Sequence, residues 1–127
     1  IEKGIHGLSN NLLDVPWPKV TRGIHMISNC LQHEDIEVEQ LFTIMGDREL
    51  PSDQDLPQTG VGIEMERMLG PMFVTSPGYG TKSTTVLLID CDQRVRFWER
   101  SYKPGQLEPW NQVYQEFEIH PLPWFRK

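Results

Sequence analysis

Apolar residues in the first third of the chain recur at alternating steps of three and four. They are Trp17, Val20, Ile24, Ile27 and Leu31. This spacing places them on one face of an amphipathic helix. Asp14 and the prolines at positions 16 and 18 predict the start of that helix, with Asp14 as the capping acid.

A second helix is predicted after Asp35, with four buried apolar side chains: Val38, Leu41, Phe42 and Met45. The segment from Gly46 to Gly60 is polar and rich in proline, which predicts a long surface loop. A short helix is expected from Ile63 to Leu69. Ahead of the first helix, the segment from Gly4 to Asn10 is expected to be a short strand that ends in a polar corner.

From Met72 onward the sequence pattern is typical of strands and turns. Residues Met72 to Thr75 are strand-like, residues 76–80 are typical of a turn, and residues 84–89 form an apolar strand. A hairpin turn over residues 90–94 leads to a partner strand from Val95 to Tyr102.

The last predicted strand alternates cleanly between two faces. One face carries Val113, Gln115, Phe117 and Ile119, and the other carries Tyr114, Glu116 and Glu118. The tail from His120 to Trp124 is expected to be extended. The chain is therefore predicted to be α+β, with antiparallel strands and two to three helices.

The apolar strand near residue 86 has no polar face. Neighbouring residues of a strand point to opposite faces, so the run from Val86 to Ile89 needs cover on both sides. The predicted helices can cover one side, and three or four strands cannot fold back over the other. The first methionine is Met26. Both observations predict a fragment, or half of an interlocked assembly.

The net charge and the number of cysteines argue against several classes of protein. A net charge of −6 argues against broad binding to nucleic acid or anionic membranes, which need surplus Lys and Arg. Cys30 and Cys91 are too few for a disulfide framework, and two reduced thiols in a cytoplasmic protein are expected. No apolar run approaches the roughly 20 residues that span a bilayer.

Ser9, Asn10 and Asn11 lie in the polar corner after the first predicted strand. An asparagine amide there could donate to the oxyanion of an acyl-transfer reaction. Alternatively, these side chains bond their own backbone in an Asx-type turn. The serine lacks the Gly-x-Ser-x-Gly context of a nucleophile.

Other polar groups favour structural roles. The histidines lack paired spacing, so no metal site is predicted. Residues 33–35 are expected to end one helix and cap the next, while 53–55 and 90–92 are typical of turns. Gly78 and Gly80 flank Tyr79 in a plain turn, or in one where backbone approaches a ligand closely.

Three stretches of the sequence resemble the later half of NRDE proteins, the family that includes the transport and Golgi organisation protein 2 homologues. They are Gly7-Leu8-Ser9-Asn10, Pro77-Gly78-Tyr79-Gly80-Thr81 and Glu99-Arg100-Ser101. The stretch from Leu56 to Gly62 also matches a pattern of bacterial members. The resemblance covers about residues 7–119.

This resemblance implies an N-terminal-nucleophile (Ntn) hydrolase-like fold, a four-layer αββα sandwich. Its nucleophile is a cysteine at the mature amino terminus, whose α-amine can act as the base. Neither that cysteine nor an Asn-Arg-Asp-Glu motif is present here. Residues 1–127 are accordingly expected to be the C-terminal portion of one such domain, with the N-terminal half of the same protein as partner.

The resemblance also implies the site. Asn10 is expected to position or stabilise the acyl oxygen during cleavage of a non-peptide C–N amide bond. Ser9, Tyr79, Thr81 and Lys82 are expected to bind the substrate, although many family members have arginine where this chain has Lys82. Arg100 is expected to pair with Glu99 or with a carboxylate of the missing half. No cofactor is expected.

A non-catalytic role is the alternative that the resemblance leaves open. Eukaryotic members are associated with haem and lipid handling. On that interpretation a ligand groove would be lined by Met65, Met68, Met72, Phe73 and the histidines, although their spacing favours core packing.

Overall fold

The computed structural model describes residues 1–33 and 35–120. Three helices come first: α1 (Pro18–Cys30), α2 (Val38–Met45) and α3 (Ile63–Leu69). Two short strands, β1 (Thr75–Ser76) and β2 (Tyr79–Gly80), pair as a small hairpin. The strands β3 (Ser83–Ile89), β4 (Arg94–Tyr102) and β5 (Trp110–Glu118) then form an antiparallel sheet in the order β3-β4-β5. The predicted α+β class is confirmed.

The alternation along the strands fixes the register of the sheet. Val86 pairs with Trp98, which pairs in turn with Tyr114, so these side chains share one face. Ile89, Val95 and Phe117 are paired in the same way on the other face. The predicted separation of Val113 and Phe117 from Tyr114 and Glu116 is therefore confirmed.

The inner face of the sheet, defined by Thr84, Val86, Trp98 and Arg100, is the face toward the helices. Helix α2 packs on β3, and α1 packs on α2. Thr84 and Val86 are buried there. Beyond the sheet, the ring of Phe73 is fully buried and meets Tyr102 edge to face, with 4.9 Å between centroids.

The outer face of the sheet is defined by Leu87, Ile89, Val95, Val113 and Phe117. Four of these side chains remain open, with exposed fractions of 53% for Leu87, 56% for Ile89, 53% for Val113 and 51% for Phe117. Val95, on the middle strand, is buried. The prediction that one side of the apolar strand would lack cover agrees with this exposure.

Arginines tie the long loop to the helices. Arg22 of α1 pairs with Asp47 at 2.7 Å and with Glu49 at 2.6 Å. Arg67 of α3 forms a two-pronged pair with Asp53, at 2.8 and 2.6 Å. Because a guanidinium fork matches a carboxylate, the second pair also fixes orientation. The predicted loop is thus fastened at two points.

Several local predictions were wrong. Residues 4–10 form no strand. Asp14 does not cap α1, whose N-cap is Trp17, with Pro18 at the first helical position. The cap of α2 is Glu37, not Asp35, and Met45 is 40% exposed where burial was predicted. The predicted tail lies outside the described residues from position 121 onward.

Candidate functional site

A cleft of about 420 Å³ lies between the start of α1, the loop before α3, the end of α3 and the β1–β2 hairpin. Most of its wall is apolar. The apolar wall residues are Trp17, Pro18, Pro51, Pro57, Val61, Leu69, Met72 and Val74. The polar groups are few, and they are Asn10, Lys19, Thr59, Glu66 and Tyr79. An apolar cavity with a small number of polar groups is the usual form of a small-molecule site.

The cleft brings together two of the five residues predicted for the site. Asn10 and Tyr79 lie 69 positions apart in the sequence, and both line the cleft. The side chains of both are exposed to solvent. A neutral amide and a phenol therefore lie at the same predominantly apolar cleft.

The other three predicted residues are not among those that line the cleft. Thr81 has a structural role, since its Oγ1 accepts a hydrogen bond from the Val74 amide at 3.0 Å. Lys82 is exposed, and its carbonyl accepts a hydrogen bond from the amide of Tyr102. Ser9 is half-buried beside Asn10.

Asn10 lies in a loop that is closed at its base. The carboxylate of Asp14 accepts a hydrogen bond from the Gly7 amide at 2.8 Å, and the Asp14 amide donates to the Gly7 carbonyl at 2.7 Å. Gly7 rests against α1 so closely that an added Cβ would come within 2.6 Å of Val20. Because the amide of Gly7 donates to Asp14, it is not available to pair with a neighbouring strand.

Lys19 and Glu66 belong to the cleft but were missed by the sequence predictions. The ammonium of Lys19 donates to the carbonyl of Leu69 at 2.9 Å, at the C-terminal end of α3. Burial lowers the pKa of Lys19, and the negative charge of Glu66 partly opposes that effect. Both of these contacts of Lys19 join distant segments, so no local motif marks this lysine.

Glu66 is a buried acid held by the loop before α3. Its Oε1 accepts hydrogen bonds from the amide and the hydroxyl of Thr59, at 2.7 and 2.6 Å. Only 6% of Glu66 is exposed. The two bonds compensate the burial of the carboxylate, and they fix the wall of the cleft at Pro57 and Thr59.

The Gly78–Gly80 turn approaches the chain's own backbone. A Cβ at Gly80 would come within 2.8 Å of the Gly105 amide nitrogen and of the Val74 carbonyl oxygen. Gly105 itself has a φ of 74°. Glycine at both positions lets the β1–β2 hairpin lie against the loop before β5, and this holds Tyr79 at the cleft.

Arg100 is structural and does not pair with Glu99. It is buried, with its guanidinium 3.8 Å from the ring centroid of Phe42 and 4.0 Å from that of Trp110. Its hydrogen-bond partners are Glu39 on α2 and Gln112 on β5. Arg100 therefore joins α2 to the sheet through stacking and charge.

The remaining reactive groups lie apart from the cleft wall. Cys30 is buried and donates to Gln40, and Cys91 is exposed in the β3–β4 turn. The side chain of Asp90 accepts hydrogen bonds from the amides of Asp92 and Arg94, which confirms that residues 90–92 form a turn. Within residues 1–33 and 35–120, no group of three or more His, Cys, Asp or Glu side chains is arranged to hold a metal ion. No described helix is long and apolar enough to cross a membrane.

Comparisons with known proteins identify the family. A family model described as Transport and Golgi organisation 2 matches residues 1–104. The chain is 31% identical over 124 residues to the human Transport and Golgi organization protein 2 homolog, covering 91% of this chain and 45% of that protein. The Bos taurus and Mus musculus relatives are 29% and 27% identical over 128 residues, with the same coverage.

The chain spans about half the length of the curated relatives it matches. The matched family is the one that the three sequence stretches resemble, so that prediction is confirmed. The family-model match covers the cleft residues from Asn10 to Tyr79. The chain belongs to the Transport and Golgi organisation 2 family.

Proposed function

We propose that this chain supplies the acyl-binding half of an Ntn-type hydrolase that cleaves non-peptide C–N amide bonds. The observation that carries the proposal is the presence of Asn10 and Tyr79 in one predominantly apolar cleft. An acyl group would lie against the apolar wall, and the amide of Asn10 would donate to its carbonyl oxygen. Tyr79 would bound the same space.

The nucleophile in this proposal belongs to the rest of the family's chain. A cysteine thiolate there would attack the carbonyl carbon, and the carbonyl π electrons would move onto the oxygen that Asn10 stabilises. The C–N bond would then break as its nitrogen takes up the proton released by the cysteine. Water would cleave the resulting thioester to a carboxylic acid and restore the thiol.

The architecture proposed for the whole protein is a four-layer αββα sandwich, of which residues 1–127 form the C-terminal portion. Two observations support it. The chain spans 45% of the human relative. The apolar outer face of the sheet is open at Leu87, Ile89, Val113 and Phe117, and it suits packing against a second sheet.

The experiment uses the full-length protein and a medium-chain acyl p-nitroanilide, whose scissile bond is an amide. Replacing the amino-terminal cysteine by alanine is expected to abolish release of p-nitroaniline. Replacing Cys91, which is exposed in the β3–β4 turn, is the matched control and is expected to leave turnover intact. Unchanged turnover in the first variant would overturn the hydrolase proposal.

A second candidate is non-catalytic binding of an apolar ligand. It is favoured by the apolar wall around Trp17, Leu69 and Met72, and by relatives that are named for transport and Golgi organization. Of the residues that the sequence predicted for a ligand groove, Met72 lines the cleft. Phe73 is fully buried, and Met65 is not among the lining residues.

A haem titration of the full-length protein tests whether the cleft binds this ligand. Binding in the cleft is expected to shift the Soret band at micromolar haem, and Met72→Ala is expected to weaken the shift. Met65→Ala is the matched control, since Met65 is 42% exposed and is not among the lining residues. An unchanged Soret band would count against haem as the ligand.

A further inference from the structure

The loop that carries Asn10 is held at its base by few contacts. Asp14 and Gly7 exchange two hydrogen bonds, one through the Asp14 carboxylate at 2.8 Å and one between backbones at 2.7 Å. Gly7 lies in close contact with Val20 and Ile24 of α1. The base of the loop is therefore fixed to the helix whose first turn carries Lys19 into the cleft.

The tip of the same loop is not fixed by packing. Leu8 is 70% exposed and Leu12 is 76% exposed, so the leucines beside Asn10 contribute little burial within this chain. Asn11 accepts a hydrogen bond from the next amide, that of Leu12, which is a local turn contact. The direction of Asn10 therefore depends on how the base is closed.

A histidine orients the carboxylate that closes the base. Nδ1 of His6 lies 2.6 Å from Oδ2 of Asp14, and Nε2 lies 2.9 Å from the carbonyl oxygen of Glu2. A carboxylate and a carbonyl both accept, so this geometry suits the doubly protonated ring, in which both nitrogens donate. With Oδ2 bound by His6, Oδ1 is left to accept from the Gly7 amide.

Asp14 has a backbone conformation that few non-glycine residues adopt readily. Its φ is 58°, in the left-handed region where Asp and Asn are enriched among the non-glycine residues. Asparagine at this position would keep both the conformation and an oxygen acceptor for Gly7. Alanine would keep neither, and this contrast provides a matched pair of substitutions.

We infer that Asp14 is a positioning residue, which closes the loop from Gly7 to Asp14 so that Asn10 faces the cleft. The inference rests on the proposed role of Asn10 and deepens it. Asp14 itself is not among the residues that line the cleft and contacts Gly7 and His6. Its effect on turnover would pass through Asn10.

The test is a double-mutant cycle in the full-length protein, with the acyl p-nitroanilide as probe. Asp14→Ala is expected to lower kcat about as much as Asn10→Ala, and the double variant is expected to be no slower than Asn10→Ala alone. Asp14→Asn is expected to recover most of the turnover lost in Asp14→Ala. Asp92→Ala, at an exposed carboxylate in the β3–β4 turn, is the control for loss of a surface charge.

Hydrogen exchange and NMR give a readout independent of turnover. Exchange of the Gly7 amide is expected to accelerate roughly tenfold in Asp14→Ala and to stay slow in Asp14→Asn. The side-chain amide signals of Asn10 are expected to shift in Asp14→Ala. Melting temperatures of all variants show whether the whole domain has been affected.

Two results would overturn the inference. One is wild-type turnover in Asp14→Ala when Asn10→Ala is slow. The other is a loss from Asp14→Ala that persists undiminished in the Asn10→Ala background. If Asn10→Ala itself leaves turnover unchanged, the proposed role of Asn10 fails, and the positioning inference is decided by NMR. Unshifted Asn10 amide signals in Asp14→Ala would then reject it.

Discussion

The two faces of the three-stranded sheet are made by the same strands but lie in different surroundings. On the inner face, Val86 is buried and Arg100 is enclosed by Phe42 and Trp110. On the outer face, Leu87 and Phe117 are more than half exposed. Both faces of β3 carry apolar side chains, so the difference in burial comes from the elements that cover each face. An alternating strand predicts its faces, and the rest of the fold decides which of them is buried.

Two phenylalanines provide the largest test of this difference. Phe42 is buried between α2 and the inner face, and Phe42→Ala is expected to lower the free energy of unfolding by roughly 3–5 kcal/mol. Phe117→Ala is expected to cost a comparable amount in the full-length protein if a second sheet covers the outer face. Urea unfolding of both variants measures this. A cost within about 0.5 kcal/mol for Phe117→Ala would show that the outer face stays in water.

Arg100 gives an intermediate effect on the inner face. Replacing it by alanine removes the stacking on Phe42 and Trp110 and the bonds to Glu39 and Gln112. The expected loss is about 2 kcal/mol of unfolding free energy, since Glu39 is largely exposed and its charge is screened. Arg100→Lys is expected to recover little, because an ammonium lacks the planar fork. Chemical denaturation measures both, and full recovery by lysine would contradict the stacking argument.

The ion pair at the base of the Asn10 loop gives the smallest effect, and it depends on pH. The hydrogen bond to Asp14 raises the pKa of His6 above 6.5, and the same bond lowers the pKa of Asp14 below 3.8. Its stabilising effect is therefore complete between pH 3.8 and 6.5. It is lost as pH rises through the raised pKa of His6 or falls through the lowered pKa of Asp14.

An NMR titration of the His6 ring checks this prediction. The wild-type midpoint is expected above 6.5, and Asp14→Ala is expected to lower it. His25, which is exposed on α1, serves as an internal reference in the same spectra. An identical His6 midpoint in the two proteins would contradict the pairing.

Most of the sheet and all three helices could be predicted from local patterns. Apolar spacing indicated α1 and α2, and alternation gave the faces of β5, because these periods follow directly from backbone geometry. The segment from Gly4 to Asn10 was mispredicted for a physical reason. Its Gly7 amide pairs with Asp14, and Gly7 packs against α1, so the segment becomes the start of a closed loop.

The candidate site was predictable only in part. Asn10 and Tyr79 could be proposed through the family resemblance, but residue spacing alone could not show that they share a cleft. Lys19 was missed because its contact with the Leu69 carbonyl joins residues 50 positions apart. Glu66 was missed although its partner Thr59 is only seven positions away, because no motif in this segment marks the acid as buried. Arg100 lies 61 residues from its partner Glu39, a separation that no local pattern spans.

The most direct test of the central claim is the turnover of acyl p-nitroanilide by the full-length protein with Asn10→Ala. Removal of one donor to an acyl oxyanion is expected to lower kcat by about 10²–10³. Asn29→Ala, an exposed asparagine of α1 that is not among the cleft residues, is expected to retain normal turnover. Equal kcat values in wild type, Asn10→Ala and Asn29→Ala would contradict the account.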